Sequence, residues 1–172
     1  MGAIDTLVEA LSQSQAPDLA IYLLGNVPGL PPIAQALHIL GIGAVIGSAV
    51  MVDLRLLGLA VPTQNAGEMI RRLMPWTWGA LILNAATGLL FVIARPGRYF
   101  YNPVFQIKFS LLVPAVALTF LMYWLNARQA GDWEQSRPRR LTGKVVAVLS
   151  LALWVGVVLA GRWIAYSEYL FY

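Results

Sequence analysis

Apolar residues run along this chain in four long blocks: Ile33 to Val61, Pro75 to Ala94, Pro103 to Leu125 and Lys144 to Tyr166. Polar residues gather in the gaps between them. An α-helix rises about 1.5 Å per residue, so about 20 apolar residues cross the hydrocarbon core of a bilayer. Each block meets that length. The pattern predicts an all-α, polytopic membrane protein built as a four-transmembrane-helix bundle. One bundle uses the whole chain, so residues 1–172 are expected to form a single membrane domain. Residues 1–30 supply a surface helix and a linker ahead of it.

The N-terminal pattern differs. Ile4, Leu7, Val8 and Leu11 recur at helical spacing, while Asp5, Glu9 and Ser12 take the opposite face. This predicts an amphipathic helix on the membrane surface. Met1 to Leu11 is acidic and no apolar core follows, which is unlike a cleavable signal. Leu19 to Leu24 is apolar but too short to span. Asn26 to Pro32 then breaks the chain, and Pro31 or Pro32 suits the first turn of the first span. Asn65 to Leu73 reads as a short amphipathic surface helix, with the second span starting at Pro75-Trp76.

Composition agrees with the pattern. The chain is 59% hydrophobic and 12% charged, about half the charged share of ordinary soluble domains. The formal net charge of +4 does not point to nucleic acid, because the basic residues sit at the ends of the blocks, as topological anchors do. Arg55, Arg71, Arg72, Arg128, Arg137, Arg139, Arg140 and Lys144 fall at one end of the bundle. Arg95, Arg98, Lys108 and Arg162 fall at the other. The positive-inside rule puts the first group in the cytoplasm and both termini outside. Trp76, Trp78, Trp124, Trp133, Tyr99, Tyr101, Tyr166, Tyr169 and Tyr172 lie near span ends, where aromatic belts form. With no cysteine, disulfides, thiolate ligands and a cysteine nucleophile are excluded.

Three blocks carry an ionisable residue at similar depth. His38 and Lys108 lie roughly 7 Å inside the outer ends of their spans, and Arg162 reaches that level from the opposite direction. Arg95 closes the second span on the same side. Charge inside a membrane span is costly, which marks such residues as site candidates. The competing reading is snorkelling of Lys and Arg to the headgroups, with His38 bonded to a neighbouring helix. His38, Gly41, Val45 and Ser48 share one face. Asn84, Thr87, Gly88, Phe91 and Arg95 form a second stripe, and Lys108, Ala115, Thr119 and Met122 a third. Gly41 is expected to leave open space beside the imidazole. Such stripes also serve plain helix packing, as do Gly43-x3-Gly47 and Ala152-x3-Gly156-x3-Ala160. Asp53 is expected to pair with an arginine, Arg55 or one from another element.

The strings His38-Ile-Leu-Gly41, Val52-Asp53-Leu-Arg55-Leu-Leu-Gly58, Met74-Pro-Trp76, Thr87-Gly88-Leu-Leu, Asn102-Pro103-Val-Phe-Gln-Ile-Lys108 and Gly161-Arg162-Trp-Ile-Ala-Tyr166 occur in this order. Together they resemble an uncharacterised bacterial family of four-span inner-membrane proteins, from about Pro31 to Tyr166. The resemblance implies the fold and a bacterial inner-membrane location, and brings no known catalytic residue. A fainter likeness, in span count and an outer-side histidine, is to copper-resistance D membrane proteins. The Trp124-Leu-Asn126 end departs from that pattern, because it lacks a second histidine.

The sequence therefore predicts a polar, basic outer-leaflet site formed by His38, Lys108 and Arg162, with Arg95 and Asn84 nearby. It would bind an anionic ligand or lipid, or belong to an oligomeric scaffold. The alternative is a single-His b-type haem or copper protein, with His38 as the metal ligand, in electron transfer or metal handling. Membrane lipids and further copies of the chain are the expected partners. No nucleophile–base pair, carboxylate pair or phosphate-binding loop stands out, so an enzyme is the less favoured class.

Overall fold

A computed structural model describes residues 2–128 and 133–166. Every regular element among them is helical. In chain order they are α1 (Ala3–Ser12), α2 (Ala16–Asn26), α3 (Leu30–Leu57), α4 (Ala66–Ala94), α5 (Pro96–Phe100), α6 (Pro103–Arg128) and α7 (Arg137–Trp163). A 3-10 turn, Ile164–Tyr166, follows. The four helices α3, α4, α6 and α7 are each long and apolar enough to cross a membrane, which makes this a multi-pass membrane protein.

Local chemistry sets the ends of these helices. Gly29, at φ 79°, precedes α3, and Pro31 fills its second position. At the far end Gly58 takes φ 80°. Its N–H bonds the Arg55 carbonyl at 3.0 Å, and the Leu59 N–H reaches Leu54 at 2.9 Å. This left-handed closure stops α3 short of the expected Val61, because an L side chain at position 58 would be strained. Asn65 caps α4, its Oδ1 accepting from the Glu68 N–H at 3.0 Å.

The expected surface helix at Asn65–Leu73 is not separate. It is the first two turns of α4, which runs unbroken past Pro75. Met69, Ile70 and Met74 are buried there, and that packing holds the turns preceding the proline in line with the span. The last span likewise begins earlier than Lys144, at Arg137, with Pro138 in its first turn.

α3 lies between α4 and α7, and α6 flanks α7, with a thinner contact between α4 and α6. The N-terminal segment forms two helices. α1 lies against α5, with the Tyr101 hydroxyl donating to Asp5 at 3.1 Å. α2 packs on α4 and buries Pro17 and Ala20. One core cluster, at the α3–α4 turn, joins Val52, Ile70, Met74, Met122, Trp133 and Val146. The other, nearer mid-bundle, joins Val45, Ala80, Ala115, Trp154 and Val157. Large side chains such as Leu40, Ile82 and Val113 are exposed. An apolar exterior of this kind suits a lipid solvent.

Candidate functional site

At the end of the bundle where α3 begins, His38 faces α4. Its Nδ1 lies 2.8 Å from the Thr87 hydroxyl. That hydroxyl donates its own hydrogen to the Leu83 carbonyl at 2.7 Å. With that hydrogen committed, the imidazole is the donor: the neutral ring carries its proton on Nδ1 and its lone pair on Nε2. A Cβ at Gly88 would lie 3.2 Å from His38 Cε1, so the glycine lets the ring sit close against α4.

Asn84 sits one turn below Thr87 on α4. Its carboxamide bridges α3: the nitrogen donates to the His38 carbonyl at 2.8 Å and the oxygen accepts from the Ile42 N–H at 3.2 Å. It thus occupies the ground over Gly41. The expected open space beside the imidazole is therefore absent. Asn84 fills it, in contact with the place a Gly41 Cβ would take. Gly41 serves a close helix approach.

The third stripe brings Lys108 to the same end. Its aliphatic stem and ammonium lie over Gly161 of α7, with Cε 3.7 Å and Nζ 3.8 Å from where a Cβ would be. Lys108 is half-buried, and its charge acts on His38. No hydrogen bond or ion pair to its ammonium exists among the described residues. Arg95 and Arg162 are exposed. Arg162 turns toward Tyr166, 5.6 Å above its ring, with a bond to the hydroxyl at 3.4 Å. The five predicted residues thus split into a bonded pair, His38 and Asn84, a neighbouring Lys108, and two arginines at the surface.

Sequence reasoning singled out Asp53, Ser48 and Thr119 separately, without joining them into the second polar region that lies toward the other end. Asp53 is 1% exposed, and neither carboxyl oxygen has a hydrogen-bond partner among the described residues. The expected pairing with Arg55 does not occur. Arg55 instead bonds the Gln64 carbonyl at 2.6 Å and Glu134 at 2.7 Å. On a helix, residues two apart point in different directions, which separates the two charges.

Asp53 borders a small cavity with Ser48, Thr77, Thr119 and Ser150, one or two from each spanning helix. Ser48 and Thr77 bond each other at 2.7 Å, and the Trp154 indole donates to Thr119 at 3.3 Å. Beyond them, buried Asn126 donates to the Gly67 carbonyl at 3.1 Å and accepts from the Trp133 indole at 2.8 Å. Trp133 is 2% exposed. The aromatic-belt expectation fails for it, because its indole N–H has a buried acceptor and its ring packs on Gly143. Tyr169 and Tyr172 lie outside the described residues.

Four apolar spans around a line of hydroxyls, amides and one carboxyl define a polytopic helical membrane protein with a polar interior. The chain belongs to the family of unknown function DUF6644, whose model matches residues 25–167. No curated protein and no solved structure matches it.

Proposed function

We propose that the protein is a bacterial inner-membrane subunit that holds an anionic group, a lipid headgroup or a small anion, at its His38 end. The uneven distribution of basic residues supports a periplasmic side for both termini. The observation that carries the reading is Lys108: an ammonium half-buried in a span, against a glycine, without an anionic partner among the described residues. A cation so placed is stabilised by an anion supplied from outside the chain. Arg162 and Arg95, exposed at the same end, add attraction. Gly43 and Gly47 have open space where a Cβ would be, which suits contact between copies in a homo-oligomer.

Native mass spectrometry in a mild detergent, with phosphatidylglycerol added, tests this. The wild type is expected to retain the lipid, and Lys108→Met to lose most of it. A further loss with Arg162→Lys would follow from losing the planar two-pronged donor. Inorganic phosphate in place of lipid separates a free anion from a headgroup. Equal retention of both anions by wild type and Lys108→Met refutes the reading.

A second reading has one observation in its favour. The His38 Nδ1–H is committed to Thr87, and a histidine that ligates a metal commonly donates its other ring N–H in this way. His38 would then be the axial ligand of a b-type haem. Met69, Met74 and Met122 are buried near the other end, which favours haem over copper. A visible spectrum of the purified protein decides this reading: a Soret band lost in His38→Ala supports it, and a featureless spectrum refutes it.

A further inference from the structure

We propose that Asp53 and the hydroxyls around it form a binding site for sodium ion, taken up in exchange for the carboxyl proton. The argument starts from the carboxyl group itself. It is 1% exposed, both oxygens are unpartnered among the described residues, and it borders the cavity with Ser48, Thr77, Thr119 and Ser150. An ionised carboxylate left alone in such surroundings is strongly destabilised, so the group must hold either a proton or a cation.

The hydroxyls decide which kind of occupant suits the cavity. Thr119 donates to the Ala115 carbonyl at 2.9 Å, and of Ser48 and Thr77 one donates to the other at 2.7 Å while the second donates to a carbonyl of its own helix, Ala44 at 2.8 Å or Leu73 at 3.2 Å. All three hydrogens are thus committed away from the carboxyl, and lone pairs remain as the available function. Ser150 lines the same cavity from α7. A group of oxygen acceptors around one carboxylate suits a hard cation.

Size and charge narrow the choice. The cavity has a volume of about 10 Å³, room for about one water molecule. A bare sodium ion fits that space; a hydrated ion does not. Among the described residues no other titratable side chain lines the cavity: α4 contributes Met74 and Thr77, α6 Thr119 and Met122, α7 Ser150. One carboxylate balances one positive charge. A divalent ion would leave net charge in a buried core, and no cluster of three His, Cys, Asp or Glu exists among the described residues to balance it. The exchange is neutral: Na+ enters, the carboxyl O–H bond breaks and H+ leaves, so the core carries no net charge before or after.

The test uses the full-length protein in detergent, in choline chloride buffer, with choline replaced by sodium at constant ionic strength. Binding of radioactive sodium is measured by equilibrium dialysis, and the carboxylic-acid stretch by infrared difference spectroscopy. The wild type is expected to bind sodium saturably at one ion per chain and to lose one carboxylic-acid band as it does so. Asp53→Asn is expected to abolish both signals. Ser150→Ala and Thr119→Val keep the carboxylate and should each weaken binding roughly three- to tenfold, the loss of one oxygen ligand. They keep the proposal testable if Asp53→Asn does not fold. No saturable binding by wild type, a carboxylic-acid band indifferent to sodium, or full affinity in both hydroxyl variants overturns it.

Discussion

Replacing Gly41 by alanine inserts one methyl group where the Asn84 carboxamide already lies. Two opposing terms decide the outcome. Alanine favours a helix over glycine by about 1 kcal/mol. Against this, a methyl forced into a filled contact costs about 1–3 kcal/mol. Displacing Asn84 also breaks its bonds to the His38 carbonyl and Ile42 N–H, and an interhelical bond within a membrane bundle averages about 0.6 kcal/mol. The net expectation is destabilisation by about 1–3 kcal/mol. For a chain of this size that lowers the thermal midpoint by about 2–4 °C per kcal/mol. The assay is thermal unfolding in one detergent, with Gly79→Ala alongside as control. Gly79, exposed on α4, has open space at its Cβ position, so its alanine variant should be neutral or up to about 1 kcal/mol more stable. The double variant Gly41→Ala/Asn84→Ala should recover part of the loss, because the clash then has no partner. Equal midpoints for Gly41→Ala and Gly79→Ala would refute the close approach of α3 and α4.

Asn126→Ala leaves the buried Trp133 indole N–H without its acceptor, while the Gly67 carbonyl keeps its bond within α4; a loss of about 1–3 kcal/mol, read as a lowered unfolding midpoint, is expected for the one buried orphan. Asp53→Leu removes an unpartnered buried carboxyl and should raise stability by about 1–3 kcal/mol in sodium-free buffer; a destabilised variant there contradicts the isolation of that group. The hydrogen bond to Asp5 holds the Tyr101 phenol above its ordinary value of 10.0, with burial and the charges of Asp5 and Glu9 acting the same way. The Tyr101–Asp5 link is thus intact below that ordinary value and is lost as pH rises through the raised one; ultraviolet titration, taken as the difference from Tyr101→Phe, should show the midpoint falling in Asp5→Asn.

The four spans were legible because lipid demands long apolar helices whatever the tertiary detail. The faces were legible too: His38, Gly41, Val45 and Ser48 do turn inward together, as do Ala115, Thr119 and Met122. A neighbour in sequence is a poor stand-in for a neighbour in space. Arg55 suggests itself as a partner for Asp53, yet residues two apart on a helix diverge. Pro75 reads as a helix start, yet α4 runs unbroken through it. Gly41 reads as empty space, because its occupant comes from another helix. A usable signal for the second polar region did exist. The same steps of three and four, continued along the second and third stripes, reach Thr77 on α4 and Asn126 on α6. What they cannot reveal is that Thr77 meets Ser48, Thr119 and Ser150 around one carboxyl, which depends on how four helices are rotated.

The bond between Arg55 and Glu134 has a consequence for the order of biosynthesis. Glu134 leaves the ribosome roughly eighty residues after Arg55, an interval on the order of 4–16 s at about 5–20 residues per second. Until then Arg55 is an unpaired cation at the end of a freshly inserted span, free to act as a topological anchor. Once the α6–α7 connection arrives, Glu134 claims the guanidinium and Trp133 reaches Asn126, and the same residue becomes part of a buried closure. The charge at the end of the first span is thus fastened by the last loop, so an error in placing the final hairpin would leave Arg55 without its carboxylate.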